Sequence, residues 1–244
     1  MGEKVQLIID GKRTDGRTPD EMRDIRIEAG ILKEADGSSY IEWGGNKIIC
    51  GVYGPRECIP RHGASPYHAI VKCRYMMSPF ASLEEHGRSG PSRRSVELSK
   101  VIRETFENLI LVEKFPNTQI DLFIDVLQAN GGTRTASITA ATVALVNAGI
   151  PMKDMVSAVA VGKADDTLVL DLNKAEDNQG QSDMPLAISH KDKKLLLVQM
   201  DGLLTKEEIA KMVDMADKGC EQLHEMQSAG LKGVYEQEGK KLEW

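Results

Sequence analysis

The sequence predicts a mixed α/β (α+β) protein of packed sheet and helix layers, and three observations carry that prediction. Patterned segments run strands, helix, strand, helix, hairpins, helix, without the regular βαβ alternation of a doubly wound fold. Each half of the chain closes on a long amphipathic helix, the pattern of two related halves. A chain of 244 residues at 41% hydrophobic content is large enough to bury one substantial core, and no linker-like stretch divides it. We therefore expect a single domain over 1–244, with its core at about 10–227 and a polar tail at 228–244.

Short apolar or alternating runs at 25–27, 38–43 and 47–53 read as strands. Gly44-Gly45-Asn46 is a hairpin turn between the last two. A Pro/Gly/charged loop at 54–66 precedes a strand at 69–77, and 87–92 is a further loop around Pro91. Apolar residues then recur at Leu98, Ile102, Phe106 and Leu109, at helical spacing. This predicts a helix from Ser92 or Ser95 to Phe115, stopped by Pro116. A strand at 119–127 breaks at Asn130-Gly131-Gly132, and Thr133 or Thr135 opens an Ala-rich helix ending at Gly149. Runs at 156–161 and 167–172 form a hairpin through Asp165-Asp166, followed by an acidic loop at 176–183. A second hairpin joins 185–189 to 194–200. Thr205 and Glu208 form a capping box for a helix burying Ile209, Met212, Val213, Ala216, Cys220 and Leu223.

Composition removes several function classes. No apolar run approaches the roughly 20 residues of a membrane span, and Met1-Gly2-Glu3-Lys4 opens no signal peptide. A soluble, cytoplasmic protein without a membrane partner is the expectation. Cys50, Cys58, Cys73 and Cys220 form no CxxC, and the histidines make no zinc pattern, so the thiols read as reduced and structural. Net charge is −6, yet the stretch from Gly51 to Arg103 carries +5 and the remainder −11. A local basic face on an acidic body suits an enclosed anionic ligand better than broad coating of a duplex.

Two sites share arginines in the first turn of a helix. Arg93 and Arg94 follow Ser92, and Arg134 follows Gly131-Gly132-Thr133. Cations there oppose the helix dipole, so the placement makes sense where an anion normally sits: free N–H groups bind it, glycine lets the backbone approach, and arginine adds a bidentate fork. The chain has neither GxxxxGK[ST] nor GxGxxG, which removes support for an ATPase or a dinucleotide enzyme. The acidic loop adds Asp177 and Asp183, carboxylates able to hold Mg²⁺ or to act as a general acid. Asp10 and Asp15 are weaker oxygen ligands of the same kind.

Together these residues resemble the RNase PH family. The segment from Lys12 to Arg17 is similar to its RxDGR opening, and that from Val126 to Ala136 to its VLQADGGTRTA stretch, with Asn130 in place of Asp. The segment from Asp171 to Pro185 resembles its DL…ED…DM acidic run. Gly90-Pro91-Ser92-Arg93-Arg94 with Met77-Ser78-Pro79-Phe80 points to the catalytic branch found in archaeal exosomes. The resemblance implies a two-layer fold with two related halves and a phosphate-dependent 3′→5′ exoribonuclease that releases nucleoside 5′-diphosphates and runs backwards as RNA tailing. Inorganic phosphate is then the co-substrate and Mg²⁺ the expected metal. The implied partners are single-stranded RNA, a homologous non-catalytic subunit alternating in a hexameric ring (a trimer of heterodimers), and RNA-binding cap subunits. The resemblance gives Arg94, Gly132, Thr133 and Arg134 to phosphate, and Arg61, Arg93 and Arg94 to RNA. Asp177 and Asp183 supply general acid and metal ligation, with Asp177 favoured as the acid. Two rival readings remain: a homohexameric RNase PH trimming tRNA ends, and a ring subunit that binds RNA without catalysis.

Overall fold

The computed structural model describes residues 6–82 and 92–242, without the side chains of 237–242. Most of the loop expected at 87–92, with Gly90 and Pro91 of the arginine motif, lies outside the described residues.

A short ladder, β1 (Ile8–Ile9) with β2 (Lys12–Arg13), leads into the first of two five-stranded sheets. That sheet comprises β3 (Ile25–Ala29), β4 (Gly37–Trp43), β5 (Asn46–Glu57), β6 (Ile70–Met77) and β7 (Thr118–Gln128), in the order β3-β4-β5-β7-β6. All neighbours are antiparallel except β6 and β7, which run parallel because helix α1 (Arg93–Glu107) crosses between them. Helix α2 (Thr133–Asn147) follows β7. The second sheet uses β8 (Val156–Ala164), β9 (Thr167–Leu170), β10 (Ser182–Ser189) and β11 (Leu195–Val198) in the order β11-β10-β8-β9, with β12 (Asp201–Gly202) on the start of β10. Helix α3 (Lys174–Gln179) precedes β10, and α4 (Lys206–Leu242) ends the chain.

Helix α2 packs against strands of both sheets. It is accordingly buried all round, every residue from Thr133 to Leu145 except Arg134. One apolar cluster runs from Trp43, Ile48 and Ile124 through Ala140 and Ala144 to Val159, Leu186 and Leu223, so the halves share a core. Cys50, Cys58 and Cys220 are buried free thiols and Cys73 is partly buried. Burial pushes Cys73 and Cys220 up to about 12, the behaviour of inert structural thiols. Among the described residues no helix is long and apolar enough to cross a membrane.

Three elements differ from expectation. Helix α1 stops at Glu107 rather than Phe115, because Ile110 leaves the helix to bridge Met152. The acidic loop contains α3, closed by a capping box between Asn173 and Glu176. The segment 228–242, expected as a polar tail, continues α4, and Leu231 is buried against Ala29 and Val143.

Candidate active site

The parallel pair sets the place of the site, since the carboxyl ends of parallel strands open onto a crevice where chains diverge. Here β6 ends at Met77 and β7 at Gln128, and a cleft of ≈ 80 Å³ lies beyond them. Its wall includes Met77, Arg94, Gly131, Thr133, Lys174 and Asp177.

One wall is an anion-binding turn. Gly131 and Gly132 both have positive φ, +74° and +69°. A Cβ on Gly131 would meet the carbonyl carbon of Asn173 at 2.6 Å, so glycine alone lets the turn lie against the start of α3. Gly132 is the N-cap of α2 and offers no side-chain cap, leaving the first N–H groups of the helix available to a ligand. The Thr133 hydroxyl accepts a 3.1 Å bond from the buried Tyr75 phenol. Burial raises the Tyr75 pKa, while the Thr133 bond and the charges of Arg94 and Arg134 pull against it. Arg94 and Arg134 thus converge on one point from two helices. Ser92 proves to be the N-cap of α1, accepting from Ser95 N, which puts Arg93 and Arg94 in the first turn.

Arg134 is three-quarters buried and lies 3.7 Å from Glu97 across α1. Its Nε is buried with no hydrogen-bond partner. A donor left so costs about 1–3 kcal/mol, which a bound oxyanion would offset.

Asp177 also lines the cleft, and Asp183 is its neighbour. Asp177 lies on α3 and Asp183 on β10, and the pair meets beside the cleft. Asp183 is raised to about 7, first by burial and then by the Asp177 charge; Arg134 opposes this. Its Oδ1 is buried and receives no donor. Among the described residues no three His, Cys, Asp or Glu side chains are grouped as a metal cage. A carboxylate pair with a free oxygen fits Mg²⁺, which binds through one or two carboxylates and takes its remaining ligands from waters and phosphates.

Arg93 is exposed beside Arg94 at the start of α1. Arg61 is not brought to the cleft. It lies in a short 3-10 turn, exposed and paired with Glu57, near where Ile59 N bonds Gln119 at the start of β7. That end of β7 is nine residues from Gln128, roughly 30 Å along the strand. The basic stretch is also less free than its +5 suggests, since Arg56, Lys100 and Arg103 each pair with a carboxylate. Asp15 binds Arg17 and Asn173; burial works against its ionisation, but these bonds hold its carboxyl at about 2.

Sequence reading missed Tyr75 and Lys174. A phenol on the inward face of an apolar strand needs a buried partner, which was the available signal for Tyr75. Lys174 is another cation in the first turn of a helix, concealed because α3 was read as loop.

The 3′ exoribonuclease (RNase PH) family models match residues 21–151 (domain 1) and 154–219 (domain 2), and the chain belongs to that family. It is 51% identical to the exosome complex component Rrp41 of Archaeoglobus fulgidus, over 98% of this chain and 93% of that protein. Identity to Rrp41 of Thermococcus kodakarensis is 53%, over 92% of this chain and 90% of the relative. The fold matches crystalline rice Rrp46 with a TM-score of 0.80 at 24% identity, covering 90% of this chain and 100% of that one. A structure described as the Archaeoglobus fulgidus exosome with RNA bound to the active site matches at TM-score 0.76 and 23% identity, over 88% and 92% of the two chains.

Proposed function

We propose that this chain is the catalytic subunit of an archaeal exosome and shortens RNA from its 3′ end by phosphorolysis. The observation that carries the reading is one cleft lined by a glycine turn, Arg94 and Asp177, with Asp183 beside Asp177. Identity above 50% to archaeal Rrp41 proteins supports the same assignment.

The chemistry follows from the charges. An attacking phosphate and a scissile phosphodiester repel each other, and arginines with helix N–H groups in a partly enclosed site offset that repulsion. Gly132, Thr133 and Arg134 hold the inorganic phosphate, with Arg94 between it and the RNA backbone. A phosphate oxygen forms a bond to the last phosphorus as the bond from phosphorus to the 3′ oxygen breaks. The departing 3′ oxygen takes a proton from one carboxyl of the Asp177–Asp183 pair, leaving RNA one nucleotide shorter and a nucleoside 5′-diphosphate. The other carboxylate of the pair would hold Mg²⁺, which would supply positive charge against the phosphates. Because a phosphoanhydride replaces a phosphodiester, the site also runs in reverse and extends RNA from diphosphates.

We further propose that the chain alternates with a non-catalytic homologue in a hexameric ring under RNA-binding caps, in the cytoplasm, on single-stranded RNA. Arg61 and Arg93 then contact RNA away from the bond that breaks.

The test is RNA decay by the chain co-purified with that homologue, with and without phosphate. Phosphate-dependent release of nucleoside diphosphates is expected, with the isolated chain weakly active. Release of monophosphates in phosphate-free buffer would mean hydrolysis and would overturn the reading.

A further inference from the structure

Arg13 takes no part in the cleft, yet its side chain is fully buried against an equally buried Glu176. All its donors are engaged. Nε and Nη2 grip the Glu176 carboxylate, the first at 2.8 Å. Nη1 reaches the carbonyls of Leu170 at 2.5 Å and Glu21 at 3.2 Å, and Nη2 also binds that of Asp171 at 2.7 Å. Glu176 in turn accepts from Asn173 N at 2.9 Å and so closes the capping box of α3. The next residue is Asp177.

A buried ion pair is a poor source of stability, because desolvating both ions offsets their attraction and an apolar pair of equal volume often serves as well. What a bidentate guanidinium–carboxylate pair does supply is direction. Apart from the Glu21 carbonyl, every acceptor of the Arg13 side chain belongs to the stretch 170–176 that delivers Asp177.

The glycine turn is fixed in the same way. Arg23 donates to Asn130 O at 2.6 Å and to the Asp171 carboxylate. Asn46, itself buried, binds Asn130 N and Gly131 O, each at 2.6 Å. Asn130 Oδ1 accepts from Lys174 N at 3.3 Å, tying the glycine turn to α3 directly.

We infer that Arg13 is a positioning residue, acting through Glu176 to set the Asp177 carboxylate in the cleft that the anion-binding turn also lines. The inference rests on the phosphorolytic reading above. Misplacing a reacting group by about 1 Å costs on the order of 100-fold in rate.

The test uses Arg13→Met/Glu176→Leu, which removes both charges together, and Arg13→Lys, which keeps the charge without the fork. Both are assembled with the ring partner and checked by native mass and circular dichroism. We expect kcat to fall about 10- to 100-fold, with KM for phosphate and for RNA within about twofold of wild type, because the groups that bind them are untouched. A folded double variant with wild-type kcat overturns the inference. Should that variant fail to fold, the same comparison on Arg13→Lys decides. If wild type itself shows no phosphate-dependent turnover, the activity reading falls, and ¹³C carboxyl titration of Asp177 and Asp183 decides separately. An altered titration in Arg13→Lys supports the positioning role and an unchanged one refutes it.

Discussion

At Arg134 a buried donor without an acceptor sits one residue from the free N–H groups of α2. Losing a hydrogen bond to a charged group costs about 1.5–3 kcal/mol, and each 1.4 kcal/mol is tenfold. Arg134→Ala should therefore raise KM for phosphate about 10- to 150-fold in initial-rate measurements, while kcat at saturating phosphate changes less. A change under about threefold would remove Arg134 from the phosphate site. Asp183 makes a different prediction, through pH. Its folded carboxyl is raised from 3.8 to about 7, so between those values the native state holds a proton that the unfolded chain has released. Stability contributed by that proton is complete below pH 4, falls by about 1.4 kcal/mol per pH unit as pH rises, and is gone above 7. Asp183→Asn lacks this loss. Its denaturation midpoint should gain on wild type from pH 4 to 7 and then run parallel, and a constant difference across that window would contradict the raised Asp183 carboxyl.

The site's elements are joined through backbone contact, which makes glycine the informative substitution. Gly131→Ala places a methyl 2.6 Å from the Asn173 carbonyl carbon at φ +74°, whereas Gly11→Ala has the same backbone strain, φ +75°, and open space around it. Left-handed strain alone costs about 1–2 kcal/mol. Gly11→Ala should show that cost in urea denaturation and keep its activity; Gly131→Ala should lose more stability and most of its turnover. Equal behaviour of the two would mean the turn and α3 are not keyed together. The glycine pair was legible as an anion site because strand, break and helix start follow one another within a few residues. The Arg94–Arg134 convergence was partly legible, each arginine being conspicuous at its own helix. What joins them, the Tyr75 phenol on a strand far away in sequence, was not. Helix α3 was signalled by Asn173 and Glu176 at capping-box spacing, but its six residues are too few for a hydrophobic period to show. Arg13 and Glu176 look in the sequence like any surface charges, because a charge gives no sign that it is buried.

Across the whole molecule, α4 is the element that ties the halves to one another. It packs on β8, β9 and β10 of the second sheet and on β3 and α2 of the first. At the crossing, Gln227 is fully buried and fully bonded: Nε2 donates to Thr139 O and Val156 O, each at 3.0 Å, and Oε1 accepts from Ser157 Oγ at 2.8 Å. One turn on, Gly230 lies so close to β3 that a Cβ would meet Ile27 O at 2.8 Å. Leu231 then completes a small cluster with Ala29 and Val143. Composition concealed this, since the polar residues of 228–244 outnumber the apolar ones that make the contact. A polar tail would be dispensable, whereas this helix end covers the edge of the first sheet. Truncating a buried leucine to alanine costs 2–5 kcal/mol in well-packed cores, and Leu231, near the surface, should fall at about 2 kcal/mol. Deleting 228–244 removes that contact, the Gly230 packing and the cover over Ala29 together, so its urea midpoint should lie below that of Leu231→Ala. The cleft is not touched by these residues. Phosphate dependence should therefore survive the deletion at temperatures where the chain stays folded, with the damage confined to stability. A deletion variant with the wild-type midpoint would show that the helix end contributes nothing and that α2, the shared core and α4 up to Gln227 suffice to hold the two halves.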